Sequence, residues 1–215
     1  MFIVIDGIDG SGKGTQVEIL KNHFENAGKK VKILDFPRYD EPSSFFVKKY
    51  LNGKYGKEIS AKTASLFYAL DRFDALHGES LEQYDYVIAN RYTTSNMIHQ
   101  AAKIEGTDAC DSFLEWLADL EYETLGLPQP DRVIFLNVTP EVSQKLVLKK
   151  QEREYLQEGK KMDIHEADLS HLQSARERAV RITGKYDTWI RIDCVEDGDM
   201  LPMESITKKI LQAIA

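Results

Sequence analysis

Gly7-Ile8-Asp9-Gly10-Ser11-Gly12-Lys13-Gly14-Thr15-Gln16 decides how the rest of this chain is read. An apolar run, Phe2-Ile3-Val4-Ile5, precedes it, and a helical pattern opens at Thr15-Gln16-Val17. Strand, glycine-rich loop and helix in that order are the context in which such spacing becomes a phosphate-binding loop. Glycines let consecutive backbone N–H groups turn inward on a polyphosphate. The helix N-terminus behind them adds about half a positive charge, and Lys13 brings a full one toward the β- and γ-phosphates. The predicted ATP-binding set is Gly7, Gly10, Ser11, Gly12, Lys13, Gly14 and Thr15. The pattern asks for Ser or Thr directly after the lysine as a magnesium ligand; Gly14 stands there, and the first hydroxyl comes at Thr15. The plainer alternative is a glycine turn that happens to precede a helix, and the register of glycines, lysine and flanking elements argues against it. The loop implies binding of ATP or GTP and leaves open where the phosphate goes.

Composition narrows the field. The 215 residues are 42% apolar and 29% charged, which suits one globular domain spanning 1–215, with a core that needs no staples. The two cysteines, Cys110 and Cys194, lie far apart with no metal-type pairing; they point to a reducing compartment, the cytoplasm, and to no disulfide framework. The chain opens on a strand, so no signal peptide is expected, and no apolar run approaches a membrane span. A net charge of −7 argues against nucleic-acid backbone binding, which needs a basic face. Nucleotide binding needs only a local basic pocket.

Hydrophobic periodicity and breakers predict an alternation of strands and helices. Strands are expected at 2–6, 30–36, 86–90, 132–138 and 189–193. Helices are expected at about 13–27, from a Ser60 cap to about 77, at 94–105, 108–125, 140–156, 163–187 and 203–214. A polar segment with breaks at Gly53 and Gly56 follows Pro37, and a basic break spans 157–162. Strands separated by helices imply an α/β fold with a mostly parallel sheet covered on both faces. Ligands in such folds sit at the carboxyl ends of the strands.

Four clusters fall there. Phe36-Pro37-Arg38 follows the second strand, where an arginine can reach a phosphate across the crevice; a solvated turn residue is the equal alternative. In Phe67-Tyr68-Ala69-Leu70-Asp71-Arg72, Tyr68 and Arg72 share a helix face, so that a ring can stack a base and a guanidinium can bond its carbonyl edge. A core aromatic beside a surface arginine explains the same pattern. Asn90-Arg91-Tyr92-Thr93-Thr94-Ser95-Asn96 puts a charge directly after a buried strand and small polar residues at a helix start, which reads as a ligand site, a helix cap, or both. Lys149, Lys150, Arg153, Lys160 and Lys161 flank a glycine-containing turn between two long helices, either a lid that closes on phosphates or a solvated hairpin. Asp163 and Glu166 have the spacing of a capping box.

Together, Gly-Ile-Asp-Gly-x-Gly-Lys-x-Thr-Gln, Phe-Pro-Arg, Phe-Tyr-Ala-x-Asp-Arg and x-Arg-Tyr-x-x-Ser-Asn resemble the thymidylate kinase family, as do Pro130-Asp131, Thr139-Pro140-Glu141 and the closing Trp-x-x-Ile-Asp. The resemblance covers nearly the whole chain. It implies the P-loop NTPase fold with a helical lid at about 149–166, transfer of the γ-phosphate of ATP to dTMP with Mg2+, and a homodimer. Kinases of other nucleoside monophosphates, or a regulatory module without catalysis, are the alternatives. By resemblance, Asp9 binds the deoxyribose 3′-hydroxyl, and Arg38 and Arg91 hold the acceptor phosphate. Tyr68 stacks on thymine with Phe36 and Phe67 nearby, Arg72 reads the thymine O4, and Ser95 and Asn96 lie near base and sugar. Lys13, Arg91, Asn90 and Arg153 carry the implied catalytic roles. Asn90 stands where the family usually has Asp, and Gly10 where one branch places a catalytic arginine. The chain therefore resembles the branch that supplies this group from the lid, with Arg153, Lys160 or Lys161 as candidates.

Overall fold

In the computed structural model, residues 1–56, 58–154 and 169–215 are described, without the side chains of 149–154. Five strands form one sheet: β1 (Phe2–Asp6), β2 (Val31–Asp35), β3 (Tyr86–Asn90), β4 (Arg132–Asn137) and β5 (Trp189–Asp193). Their order is β2-β3-β1-β4-β5, and every pairing is parallel. The α/β expectation therefore stands, with β1 and its glycine loop at the centre.

The apolar runs of the central strands are continuous because both faces are covered. Phe2 and Val4 of β1, Val87 and Ala89 of β3, and Val133 and Phe135 of β4 enter one core. Their neighbours Ile3, Ile5, Ile88, Ile134 and Leu136 enter the other. The strand period of two thus divides each run between two layers. Helix α1 (Lys13–Asn26) covers the second face through Val17, Leu20 and Phe24, together with the C-terminal helix (Met203–Ile214). The same two helices are bonded: Gln16 Nε2 donates to the Met203 carbonyl at 3.2 Å, and Thr207 Oγ1 donates to Gln16 Oε1 at 2.8 Å.

Between β2 and β3 lie α2 (Phe45–Leu51), after a 3-10 turn at Pro42–Ser44, and α3 (Ala61–Leu76). The polar segment expected there contains α2, whose Val47 and Tyr50 are buried; two buried positions in about two turns give too weak a periodicity to read. Ser60 caps α3 as predicted, its Oγ accepting from Thr63 N at 3.1 Å. The helix expected at 94–105 changes pitch: Thr93–Ser95 (α4) is α-helical, Asn96–Gln100 is π-helical and Ala101–Lys103 is 3-10. The helix expected at 108–125 likewise splits into α5 (Thr107–Ala118) and a π-helical run, Asp119–Thr124. Periodicity cannot report a local extra residue of this kind, which often marks a functional position. Helix α6 (Pro140–Glu154) starts at the predicted proline. Helix α7 (Leu169–Thr183) ends before Gly184 rather than near 187. A short hairpin, β6 (Val195–Glu196) with β7 (Asp199–Met200), precedes the final helix α8 (Met203–Ile214) and was not expected.

The glycine loop is packed against α6. Gly10 has φ +73°, and a Cβ there would stand 2.6 Å from the Ser143 carbonyl oxygen and 2.9 Å from Val147 Cγ2. Ser143 Oγ also donates to the Asp9 carbonyl. Gly14, by contrast, has ordinary φ and nothing within 4 Å of such a Cβ. Gly10→Ala should therefore lower unfolding free energy by about 1–3 kcal/mol through strain and backbone collision. Gly14→Ala, in the first turn of α1, should be neutral or stabilising by up to about 1 kcal/mol. Urea unfolding midpoints of the two variants check this; equal midpoints would refute the close approach at Gly10.

Candidate active site

The phosphate loop closes on its own lysine. Lys13 Nζ donates to the carbonyls of Ile8 at 2.9 Å and Gly7 at 3.1 Å. Gly10 and Gly12 both sit in the left-handed region, which the turn into α1 requires. Directly before the loop, Asp6 is wholly buried. It accepts from Gly7 N at 2.8 Å, Thr94 Oγ1 at 2.5 Å and Ser95 Oγ at 2.8–2.9 Å. That carboxylate joins the loop to the helical segment after β3.

Arg91 is held in the same place. Its Nη2 pairs with Asp9, its Nη1 donates to Ser95 Oγ at 3.3 Å, and Asp6 lies 3.9 Å away. Burial opposes its charge, but Asp9 and then Asp6 outweigh burial and raise its pKa. Its φ of +65° is strained for a side-chain-bearing residue. The backbone is fixed there by the Arg91 N–H bond to the Ile5 carbonyl. His99 Nε2 lies 3.0 Å from Arg91 Nη1. A guanidinium only donates, so this nitrogen accepts. Burial, and next Arg91, hold His99 well below the usual imidazole range, which keeps it neutral.

An open cleft of about 120 Å³ begins at this point. Asp9, Arg91, Ser95 and His99 line one part of it; Phe36, Tyr68, Arg72 and Asn96 also line it. The structure thus brings together seven of the nine substrate residues expected from sequence: Asp9, Phe36, Tyr68, Arg72, Arg91, Ser95 and Asn96. Phe67 is not among the lining residues; it stacks on Phe46 at 5.6 Å and packs against Tyr55 at 5.4 Å. Arg38 is not among them either. Its Nε donates to Asp71 at 3.2 Å, and its Nη2 donates to Ser43 at 2.9 Å and Asp74 at 2.6 Å. The Phe36–Pro37 peptide before it is cis.

Arg72, only 2% exposed, forms a bidentate pair with Glu121, Nε at 2.6 Å and Nη2 at 2.5 Å. Burial opposes the Arg72 charge, and the Glu121 charge and hydrogen bonds more than restore it. Asn96 Nδ2 donates to Glu121 Oε1 and to the Ser65 carbonyl, each at 3.2 Å.

At the strand ends beside the loop, Asn90 and Asp35 are cross-strand partners. Asn90 Nδ2 donates to Asp35 Oδ1 at 2.8 Å, while Asn90 Oδ1 is buried without a hydrogen bond. Burial raises the Asp35 pKa against the opposing bond from Asn90 and the charge of Arg91. Among the described residues, no group of three or more His, Cys, Asp or Glu could hold a metal. The expected lid falls elsewhere: Lys160, Lys161, Asp163 and Glu166 lie outside the described residues, as do the side chains of Lys149, Lys150 and Arg153.

Sequence reasoning missed Asp6, Asp71, His99 and Glu121. Asp6 carried a signal, a charge closing an otherwise apolar strand. Glu121 carried none: it is fully buried while Glu123, two residues on, is exposed.

The sequence model of the family described as thymidylate kinase matches residues 5–197. A protein named thymidylate kinase from Mycobacterium tuberculosis (strain ATCC 25618 / H37Rv) is 37% identical over 147 residues, covering 66% of this chain and 68% of that one. One named probable thymidylate kinase from Thermococcus kodakarensis is also 37% identical over 147 residues, 64% of this chain and 66% of its own. The solved thymidylate kinase of Candida albicans superposes with a TM-score of 0.70 at 21% identity, covering 99% of this chain and 90% of that one; it shares the P-loop NTPase fold. With its central phosphate loop, its arginine-lined cleft and a family match over most of its length, the chain belongs to the thymidylate kinase family.

Proposed function

We propose that this kinase transfers the γ-phosphate of ATP to dTMP, giving dTDP and ADP. The observation that carries the reading is the continuity of the cleft, from Asp9 and Arg91 beside the phosphate loop to Arg72 and Asn96. Phosphoryl transfer needs the acceptor oxygen in line with the γ-phosphorus and cations around the migrating group, and little covalent chemistry from the protein. In this reading Lys13 leaves its loop carbonyls for the β/γ-oxygens, and the loop amides hold the phosphates. Arg91 takes the acceptor phosphate in place of part of its contact with Asp9, which turns to the sugar hydroxyl. Arg38, anchored by Asp71, is the second acceptor-side cation. Tyr68 and Phe36 sandwich the base, and Arg72 donates to its O4. The basic residues of 149–166 are assigned to a lid over the transferring group, within a single domain, and the two buried free cysteines accord with a cytoplasmic, reducing setting.

The donor set suits Mg2+. This ion prefers oxygen ligands, keeps several waters and is usually shared between phosphates and one or two protein groups. Asn90 Oδ1 is a buried acceptor with no protein donor, Asp35 is beside it, and Thr15 offers a hydroxyl at the start of α1. Asn90 and Asp35 would hold the ion, which would supply charge neutralisation at the phosphates. An acceptor panel of dTMP, dUMP, dCMP, AMP and GMP in a coupled ADP assay tests the function; no turnover with dTMP would refute it.

In that assay, Lys13→Ala should lose about 100-fold or more in turnover, the usual cost of removing an electrostatic stabiliser of transferred charge. Near-normal turnover would take the loop out of the mechanism.

Asn90 should support catalysis despite lacking a carboxylate, because positioning and cations dominate this chemistry. Asn90→Ala, which removes the acceptor, is expected to cost about tenfold in dTDP formation at saturating Mg-ATP. Asn90→Asp should be neutral or faster. Equal rates for Ala and Asn would exclude this side chain from the reaction.

A homodimer is the proposed assembly. Leu66 and Leu70, one turn apart on α3, are 39% and 46% exposed, and Phe45 and Phe46 of α2 are 50% and 45% exposed. Such a concentration of exposed apolar side chains marks an interaction surface, and two-fold dimers are the commonest oligomers. Sedimentation at micromolar concentration should give twice the 24.6 kDa chain mass, and Leu66→Glu with Leu70→Glu should give the monomer. A natural protein that sediments only at the chain mass would refute the dimer.

A further inference from the structure

Glu121 has no contact role in the reading above, yet it is a fully buried charge bonded to two residues that line the cleft, Arg72 and Asn96. A carboxylate has about four lone-pair sites. Here four donors fill them: Arg72 Nε at 2.6 Å and Thr93 Oγ1 at 2.7 Å on Oε2, Arg72 Nη2 at 2.5 Å and Asn96 Nδ2 at 3.2 Å on Oε1. The side chain is fully buried, so water cannot substitute for any of them.

We propose that Glu121 is a positioning residue that sets the donor–acceptor order at the base end of the cleft, and thereby confines the site to pyrimidines with an N3–H imide edge, thymine and uracil, against cytosine. The inference rests on the cleft being the acceptor site. Its core is the orientation of the Asn96 amide. Nδ2 faces two groups, the Ser65 carbonyl and the Glu121 carboxylate, and neither can donate. Turning the amide over would set Oδ1 against both. Asn96 therefore keeps Oδ1 as its remaining group, an acceptor. Arg72 is fixed in the same way: the carboxylate takes the Nε–H and one N–H of Nη2, and the N–H groups left over, on Nη1 and on the far side of Nη2, can only donate. Both residues line the cleft.

An acceptor beside a donor complements thymine, whose N3–H donates and whose O4 accepts. Cytosine presents the reverse, an accepting N3 and a donating N4 amine, so both contacts fail at once. Sites built to hydrogen-bond a substrate reject a mismatched analogue strongly because their own buried groups are left unpaired. The π-helical run Asp119–Thr124 is what delivers this carboxylate. Glu121 points inward from it while Glu123 faces solvent.

The test compares kcat/KM for dTMP and dCMP in the natural protein and in Glu121→Gln. The amide of the variant adds a donor where two donors already point, so Asn96 or Arg72 must turn. The dTMP/dCMP ratio is expected to fall by about tenfold or more, with the KM for ATP unchanged. A merely structural role would lower both acceptors together and leave the ratio intact, and that result overturns the proposal. If Glu121→Gln does not fold, NMR of the natural protein decides. The Asn96 side-chain amide protons should be protected from exchange without nucleotide and keep their orientation when dTMP is added. Rapid exchange or a flip overturns it. A natural protein inactive on dTMP would instead refute the acceptor reading itself, whereas activity on dTMP with an unmoved ratio removes only the role of Glu121.

Discussion

The geometry of the site depends on one carboxylate that never meets water. Asp6 closes the central strand, and its charge must be answered entirely by protein groups. Those groups are the first amide of the phosphate loop and the hydroxyls of Thr94 and Ser95. One buried anion therefore fixes the distance between the donor side of the cleft, which follows β1, and the acceptor side, which follows β3. Arg91 enters this arrangement strained and is retained because its backbone N–H, Asp9 and Ser95 over-determine its position.

The two cleft arginines are handled by the same principle with different results. Arg72 is buried and Arg91 half-buried, and each has a carboxylate of its own, Asp9 and Asp6 for Arg91 and Glu121 for Arg72. At Arg91 the partners include Asp9, a group on the loop itself and partly exposed, so the pairing can be exchanged for a phosphate. At Arg72 the partner is fully enclosed and bidentate, so the pairing is permanent and only one edge of the guanidinium is available. One arginine is thus suited to an anion and the other to a neutral polar edge.

What could be read from the sequence follows from where the signal lies. The glycine loop, the five strands, the Ser60 cap and the helix start at Pro140 are local patterns, and they stand where the residues placed them. The cleft residues Asp9, Phe36, Tyr68, Arg72, Arg91, Ser95 and Asn96 were legible because they follow strand ends or share a helix face. Arg38 and Phe67 were singled out by the same logic and stand outside the cleft lining, where Arg38 is anchored on Asp71 and Asp74 and Phe67 stacks on Phe46. Asp71 and Glu121 gave no warning, since a buried acid is recognised only by partners distant in sequence. The pitch changes at 96–100 and 119–124 were equally silent; an extra residue per turn leaves composition untouched while it redirects every following side chain.

The bonds that tie Gln16 to Met203 and Thr207 have a consequence for biosynthesis. The helix behind the phosphate loop leaves the ribosome before the helix that locks its outer face, which is made some 190 residues later. At about 5–20 residues per second, the nascent chain spends roughly ten seconds or more with the apolar side of α1 uncovered. The neighbouring strand β4 also pairs with β1 only after more than a hundred residues have intervened. The nucleotide-binding half therefore does not complete its core as a self-sufficient unit: the layer holding Ile3, Ile5 and Leu20 is closed only when Ile206 and Ile210 of α8 are added to it.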